Sequence, residues 1–146
     1  MIRRLTITAF FLLVFSEQLV AAQSCTAYAS GIAFGSYTGI TSNTTGSVTV
    51  TCTSGTTYSI GLSTGMASGA TVTSRAMIGP SSALLSYKLF SDATYTSNWG
   101  DTSGSGWVSG TGTDSAQPYT IHAQIPAGQL AVPGNYTDTI TVTVTY

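Results

Sequence analysis

The clearest pattern of hydrophobic and polar positions lies in residues 134–146. Apolar or aromatic residues take one parity and threonines the other, as in Ile140-Thr141-Val142-Thr143-Val144-Thr145-Tyr146. A two-residue period places the two sets on opposite faces of an extended strand. Nearly every position is β-branched or aromatic, which suits a half-buried sheet. We therefore predict a strand with one apolar face, and such a strand needs a partner.

Shorter segments with the same alternation recur through the rest of the sequence, separated by Gly, Ser, Asn and Pro. We predict strands over residues 32–37, 47–53, 58–63, 70–78, 85–90 and 119–125. No window shows a convincing helical period of 3.6 residues. Seven short strands separated by turns are typical of an all-β sandwich or barrel.

The amino-acid composition supports the all-β prediction. The sequence contains 26 Thr, 20 Ser and 16 Gly among its 146 residues, and only 6% of the residues are charged. Thr favours strands, whereas Ser and Gly favour turns and weaken helices. Tyrosines, tryptophans and regularly placed Val, Ile and Leu supply a core, so the low charge does not indicate disorder.

The first 22 residues have the features of an export signal. Arg3 and Arg4 precede an apolar run over residues 9–15, and a small-residue cleavage site follows at Val20-Ala21-Ala22. The apolar run is shorter than the roughly 20 residues that a membrane span needs. We predict a signal peptide over residues 1–22 and one mature domain over residues 23–146, exported without inserting into a membrane.

The charges of the predicted mature domain restrict its partners. Its two cations, Arg75 and Lys88, and its four aspartates give a formal charge of −2. Two cations cannot form the basic patch that nucleic acid or anionic lipid requires. Both are therefore excluded as partners.

The domain contains two cysteines, Cys25 and Cys52. In an exported chain an isolated pair is typical of a disulfide, and neither a reactive thiol nor a metal site has supporting residues nearby. Closing the loop between the two cysteines contributes roughly 3.5 kcal/mol in the chain-entropy model.

One motif resembles that of a serine hydrolase. Gly61-Leu62-Ser63-Thr64-Gly65 fits the G-x-S-x-G pattern, and aspartates and His122 follow in the matching order. That motif needs a helix directly after the turn, and no helical pattern follows Gly65. We predict no enzymatic activity. With a single histidine and too few acidic residues in any one loop, we expect neither a metal nor another cofactor.

The segment 91–118 is rich in Gly, Ser, Thr and Asp and is too long for an ordinary connection. It either holds a further hairpin or is a functional loop that carries three aromatic residues, Tyr95, Trp99 and Trp107. They form either a surface that binds sugars or abiotic materials, or anchors that pack the loop onto the core. The second role fits Trp99 better, because Gly100 follows it.

A series of short motifs runs in order through the whole predicted domain. After Cys25 come Ala33-Phe34-Gly35-Ser36-Tyr37, Val48-Thr49-Val50-Thr51-Cys52, Arg75-Ala76-Met77, Leu85-Ser86-Tyr87-Lys88-Leu89-Phe90-Ser91-Asp92, Trp99-Gly100-Asp101, Ile125-Pro126-Ala127-Gly128-Gln129 and Gly134-Asn135-Tyr136-Thr137-Asp138. Together they resemble the spore coat protein U domain family, which includes subunits of archaic, Csu-type chaperone–usher pili of Gram-negative bacteria.

The resemblance implies an immunoglobulin-like β-sandwich that lacks its last strand. In such pilins a periplasmic chaperone fills the gap first, and a strand of the next subunit replaces it during assembly at an outer-membrane usher. The implied location is the periplasm and then the cell surface. The acceptor groove would be lined by Ile140, Val142 and Val144, and the carboxylate of Tyr146 would meet basic residues of the chaperone.

The sequence departs from this family in one respect. A polymerising pilin needs a donor strand of about ten alternating residues before its first cysteine, and here only Gln23 and Ser24 precede Cys25 after the predicted cleavage. We therefore expect a terminal or minor subunit that accepts a strand. The alternative is a self-complete secreted binding or adhesin module that uses the aromatic loop 91–118.

Overall fold

The structure is a computed structural model that describes residues 22–101 and 106–146. The predicted signal peptide lies outside the described residues except for Ala22. Within these ranges no helix is long and apolar enough to cross a membrane, and a short 3-10 turn spans Pro80–Ser82. The strands are β1 (Cys25–Ala29), β2 (Ser42–Cys52), β3 (Thr57–Leu62), β4 (Arg75–Ile78), β5 (Leu84–Phe90), β6 (Val108–Thr111), β7 (Gln117–Ile125) and β8 (Val142–Thr145).

These strands form two antiparallel sheets. The first has five strands in the order β1-β2-β7-β5-β4, and the second has three in the order β6-β3-β8. Alternate residues of both sheets turn inward and bury their side chains between the layers, as the two-residue period requires. The all-β sandwich prediction is confirmed. The inward residues that form the buried core are Val48, Val50, Cys52, Tyr58, Ile60, Leu62, Leu85, Tyr87, Leu89, Ile121, Ala123 and Ile125, joined by Trp99.

The predicted disulfide is also confirmed. Cys25 is the first residue of β1 and lies opposite Cys52, the last residue of β2, and the two sulfurs are bonded. The bond therefore fastens the edge strand β1 to a strand of the core at the point where their ladder begins.

Several strand boundaries differ from the sequence prediction. Residues 32–37 are not a strand, and of residues 134–146 only Val142–Thr145 are. Both segments alternate as predicted, but a strand also needs a neighbouring backbone to pair with. In the described residues, the backbone of the segment before β8 pairs with the first sheet at one isolated bridge, between Thr137 and Ile78. The prediction missed β1 and β6 because both are short and mostly exposed.

The most deeply buried charge is the guanidinium of Arg75, whose side chain is fully buried. Its Nε donates a hydrogen bond to the carbonyl of Ser63 and its Nη1 donates to Val72, both at 2.7 Å. Its Nη2 donates to the carbonyls of Leu62 at 2.8 Å and Trp99 at 2.7 Å. Burial lowers the pKa of this group. One side chain thus joins the end of β3 to two loops.

We expect Arg75→Met to lower the free energy of unfolding by about 3–5 kcal/mol, because four carbonyls lose their donor, and the hydrogen bonds to two of them, Leu62 and Trp99, are buried. Lys88→Met, at the half-exposed cation of β5, is the matched control and should cost less than about 0.5 kcal/mol. Urea titration of the oxidised mature chain measures both. Equal losses in the two variants would contradict the role assigned to Arg75.

Candidate functional site

The two sheets leave an open seam between β1 and β8. In the described part of the chain, β1 pairs only with β2 and β8 pairs only with β3. The two strands lie across this seam, with Cα atoms within 8 Å of each other. Each therefore presents an edge whose backbone groups have no partner strand.

Two adjoining cavities follow this seam, with volumes of about 290 Å³ and 740 Å³. Because they share five lining residues, we treat them as one channel, the seam groove. One wall is formed by residues 29–37 and the other by residues 131–142. The shared residues are Ile32, Phe34, Met77, Tyr136 and Thr137.

The floor of the seam groove is the apolar core itself. Its residues come from the inward faces of β3, β4, β5 and β7, and all but Met77 are buried. An object lying in the groove would therefore contact side chains that already pack in the sandwich. The floor residues are Leu62, Met77, Leu85, Tyr87, Leu89, Ile121 and Ile125.

The first wall is held in place by side chains rather than by a sheet ladder. Ile32 packs against Gly46 of β2, where an added Cβ would lie 2.5 Å from the Cγ1 of Ile32 and would displace that side chain. Phe34 packs edge-on against Tyr87, with ring centroids 6.0 Å apart. The hydroxyl of Tyr37 donates to the carbonyl of Pro126 at 2.8 Å.

The second wall is fixed by Tyr136 and Asp138. The hydroxyl of Tyr136 donates to the carbonyl of Val132 at 3.0 Å, four residues upstream, and so ties this corner of the chain to its own backbone. Asp138 accepts hydrogen bonds from the backbone N–H of Met66 and from the hydroxyl of Tyr87, each at 2.7 Å. Burial, and then the bond to Asp138, raises the pKa of Tyr87.

The side-chain amide of Gln129 pairs with Ser86 of β5 as a neighbouring strand would, which we call its substitute-strand role. Its Nε2 donates to the carbonyl of Ser86 at 2.8 Å, and its Oε1 accepts from the N–H of Ser86 at 2.7 Å. Pro126 follows β7 at this point and cannot donate a ladder bond. The amide of Gln129 therefore completes the pairing of β5 where β7 ends.

The structure places the predicted groove residues in three locations. Ile140 and Val142 line the seam groove and are half-buried. Val144 is half-buried against the core but lies beyond the cavities, opposite Ile60. Tyr146 is 57% exposed and bounds a separate shallow cleft with residues of β3 and β6.

The three aromatic residues of segment 91–118 lie in three different environments. Trp99 is buried, and its Nε1 donates to the carbonyl of Ile60 at 2.9 Å, so its ring packs the loop onto the core. Trp107 is half-buried over Gly61 of β3. Tyr95 packs edge-on against Phe90 on the outer face of the five-stranded sheet. The segment also contains β6, which in the described residues pairs with β3 and not with another strand of the segment.

Asp92 holds the turn that carries Tyr95. Its carboxylate accepts the N–H groups of Thr96 and Ser97, the latter at 2.6 Å, and the hydroxyl of Thr94. These hydrogen bonds favour the ionised form and keep the pKa of Asp92 well below its usual range. The turn is therefore ordered by its own side chain.

Ser63 and His122 do not form a catalytic pair in the described residues. The Ser63 hydroxyl accepts the N–H of Thr141 at 2.9 Å, next to β8. The ring of His122 packs edge-on against Tyr95 on the outer face of the first sheet. Ser63, the serine of the hydrolase-like motif, therefore makes a structural hydrogen bond.

The sequence analysis missed several residues of the groove. The sequence places the wall residues Ile32 and Phe34 and the floor residues Met77, Tyr87 and Ile121 in predicted strands, and it assigns none of them to a groove. Their alternation showed that they face inward. The alternation does not show that these residues lack a covering strand, because the position of such a strand depends on how the two sheets align.

The chain belongs to the spore coat protein U domain family. Residues 10–143 match the family described as Spore Coat Protein U domain. Protein U of Myxococcus xanthus is 36% identical over 107 residues, which make up 70% of this chain and 59% of Protein U. The chain thus spans less than two thirds of that relative.

The fold resembles a chain in a crystal structure from Acinetobacter baumannii, the CsuC–CsuE chaperone–tip adhesion subunit pre-assembly complex of archaic chaperone–usher Csu pili. The TM-score is 0.66 at 21% identity, over 86% of this chain and 40% of that chain. This likeness supports the immunoglobulin-like fold predicted from the sequence.

We expect Gln129→Ala to lower the free energy of unfolding by about 1–3 kcal/mol, because it leaves both backbone groups of Ser86 unpaired. Gln124→Ala is the matched control, since that side chain bonds only the exposed amide of Asn43. Its cost should stay below about 0.5 kcal/mol. Urea denaturation gives both values, and a neutral Gln129→Ala would disprove the substitute-strand role.

Proposed function

We propose that this chain is an exported structural subunit of a chaperone–usher pilus or a cell-surface coat, and that it accepts a β-strand of another polypeptide in the seam groove. One observation carries the proposal: the unpaired edge of β8 borders an apolar channel whose floor is the core. Family membership supports it, because the sequence resemblance points to the same class of assembly.

Strand addition would use both features of the groove. The free edge of β8 offers backbone N–H and C=O groups, and alternate side chains of the incoming strand would lie over the floor. Five buried apolar side chains at roughly 1.5–3 kcal/mol each would contribute on the order of 10 kcal/mol before ordering costs. The same strand would complete the second sheet and cover the core.

The lining of the groove defines the chemistry of its occupant. Among the described lining residues Asp138 is the single charged side chain, and its carboxylate already accepts hydrogen bonds from Met66, Tyr87 and Thr139. The occupant should therefore be an extended segment with uncharged apolar side chains at every second position.

The partners follow from the same proposal. The solved neighbour is a complex of a chaperone with a tip adhesion subunit, and this chain would likewise bind a periplasmic chaperone first and another pilus subunit later, at an outer-membrane usher. The signal peptide over residues 1–22 and the terminal or minor position in a fibre stay predictions.

The adhesin alternative receives less support. Trp99 is buried, and Trp107 and Tyr95 lie on the outer faces of different sheets. The three aromatic rings that the hypothesis requires do not share one surface. No arrangement of groups in the groove suggests catalysis, and we propose no enzymatic role.

Filling the groove within one molecule tests the proposal directly. An Asn-Gly turn and ten alternating Val and Thr residues are added after Tyr146, so that the added strand folds back along the free edge of β8. This filled variant should gain on the order of 5 kcal/mol in unfolding free energy over a variant whose added residues alternate Ser and Thr.

Charges placed in the groove should abolish that gain. In the filled variant, Ile140→Asp with Val142→Asp puts two carboxylates against the apolar floor and should remove the stabilisation. Thr141→Asp with Thr143→Asp is the matched control on the exposed face of the same strand. Urea titration measures all variants, and stabilisation that survives the groove substitutions would refute the acceptor site.

Expression in a periplasm gives an independent prediction. Because the open seam exposes a strand edge beside the core, the mature chain should be soluble when an archaic pilus chaperone is co-expressed and should aggregate without it. Size exclusion of both preparations decides the point. A cooperative, chaperone-free monomer would instead favour a self-complete fold.

A further inference from the structure

We propose that the outer face of the three-stranded sheet carries a binding site for a neutral oligosaccharide, formed by the shallow cleft on β3, β6 and β8 and by the ring of Trp107 beside it. The cleft shares no lining residue with the seam groove, so this inference does not depend on the acceptor function. It uses neither Tyr95 nor Trp99.

Outward-facing hydroxyl groups form a row across the three strands. Ser59 of β3 lies opposite Ser109 of β6 on one side and opposite Thr145 of β8 on the other. The hydroxyls of Ser59 and Ser109 are 3.0 Å apart and share a hydrogen bond. Thr57 and Thr111 form the next row. Because each hydroxyl can both donate and accept, these rows offer the paired donors and acceptors that the hydroxyls of a sugar require.

The five hydroxyl residues line a cleft with a volume of about 540 Å³, which Tyr146 also bounds. Among the described residues, no charged side chain lines this cleft. A cleft without a cation has no group that compensates the charge of a carboxylate, a phosphate or a sulfate. Its chemistry therefore suits a ligand that is polar but uncharged.

Trp107 supplies an aromatic surface next to the hydroxyl rows. It directly precedes β6 and lies over Gly61, the next residue of β3 after Ser59 that faces outward. A Cβ on Gly61 would be 2.9 Å from the indole Nε1, so glycine lets the indole lie against the strand. The ring is half-buried, which leaves part of it exposed beside the cleft.

The two tryptophans of segment 91–118 differ in their polar ends. The Nε1 of Trp99 donates to the carbonyl of Ile60, whereas the Nε1 of Trp107 has no acceptor within the described residues. Unlike Trp99, Trp107 therefore satisfies no backbone group there. Its exposed ring and the hydroxyl rows match the two surfaces of a pyranose sugar, which are an apolar C–H face and a rim of hydroxyl groups.

A glycan array tests the proposal. The soluble mature chain, with its chaperone where it needs one, carries a biotin tag before Gln23 and is displayed on fluorescent streptavidin, because multivalent display makes weak binding measurable. The array holds neutral, carboxylated and sulfated oligosaccharides, and the chaperone alone is the blank. We expect binding to one or more neutral glycans and no preference for acidic ones.

Substitutions in the hydroxyl row locate the site. Ser59→Ala with Thr145→Ala removes two hydroxyls and should weaken the apparent affinity, read from a dilution series, by about tenfold or more. Thr45→Ala with Thr120→Ala is the matched control, since both threonines are exposed on the outer face of the five-stranded sheet. The control should bind like the unmodified chain.

Trp107→Ala removes the aromatic surface and should weaken binding at least as much. Tyr95→Ala is its control, because that ring lies on the outer face of the other sheet. Urea titration of each variant separates lost binding from lost folding. If Trp107→Ala does not fold, the Ser59 and Thr145 pair decides the outcome.

Three results would overturn the proposal. The first is binding to no neutral glycan, and the second is binding to acidic glycans alone. The third is neutral-glycan binding that survives Ser59→Ala with Thr145→Ala, or that the Thr45 and Thr120 control loses equally. None of these results bears on the seam groove, so the acceptor function stands or fails separately.

Discussion

The main constraint on this structure is that β1 and β8 lack partner strands along one seam. A β-sandwich is stable when its strands pair along their edges and its two layers cover each other. Among the described residues β8 pairs with β3 alone, and residues 31–37 line the groove beside its free edge. The apolar floor, the two walls and the proposed acceptor function all follow from that unmet pairing.

The rest of the molecule holds the seam in a fixed shape. The disulfide ties β1 to β2 at one end, and Gln129 completes β5 at the other. The buried guanidinium of Arg75 donates hydrogen bonds to carbonyls of β3 and of two loops. The walls themselves are held by Phe34, which packs against Tyr87, and by Asp138, which accepts a hydrogen bond from Tyr87. The groove is therefore set before a partner arrives.

The outer faces of the domain carry few free charges. The cation Arg75 is buried, and the aspartates Asp92 and Asp138 are bound by neighbouring donors. Few charges remain on the outer faces, where Thr and Ser alternate. Such a surface gives little electrostatic steering, so specificity would come from strand pairing and from side chains that fit the floor.

The sequence by itself determined the all-β class, most inward-facing positions and the disulfide, because alternation and cysteine pairing are encoded in composition and short spacing. It also identified residues 32–37 and 134–146 as strand-forming. The tertiary structure alone decided which of these segments found partner strands. It also buried Trp99 and placed Ile32 and Ile140 on the two walls of an open seam. Pairing and burial depend on how distant segments align, and no local pattern specifies that alignment.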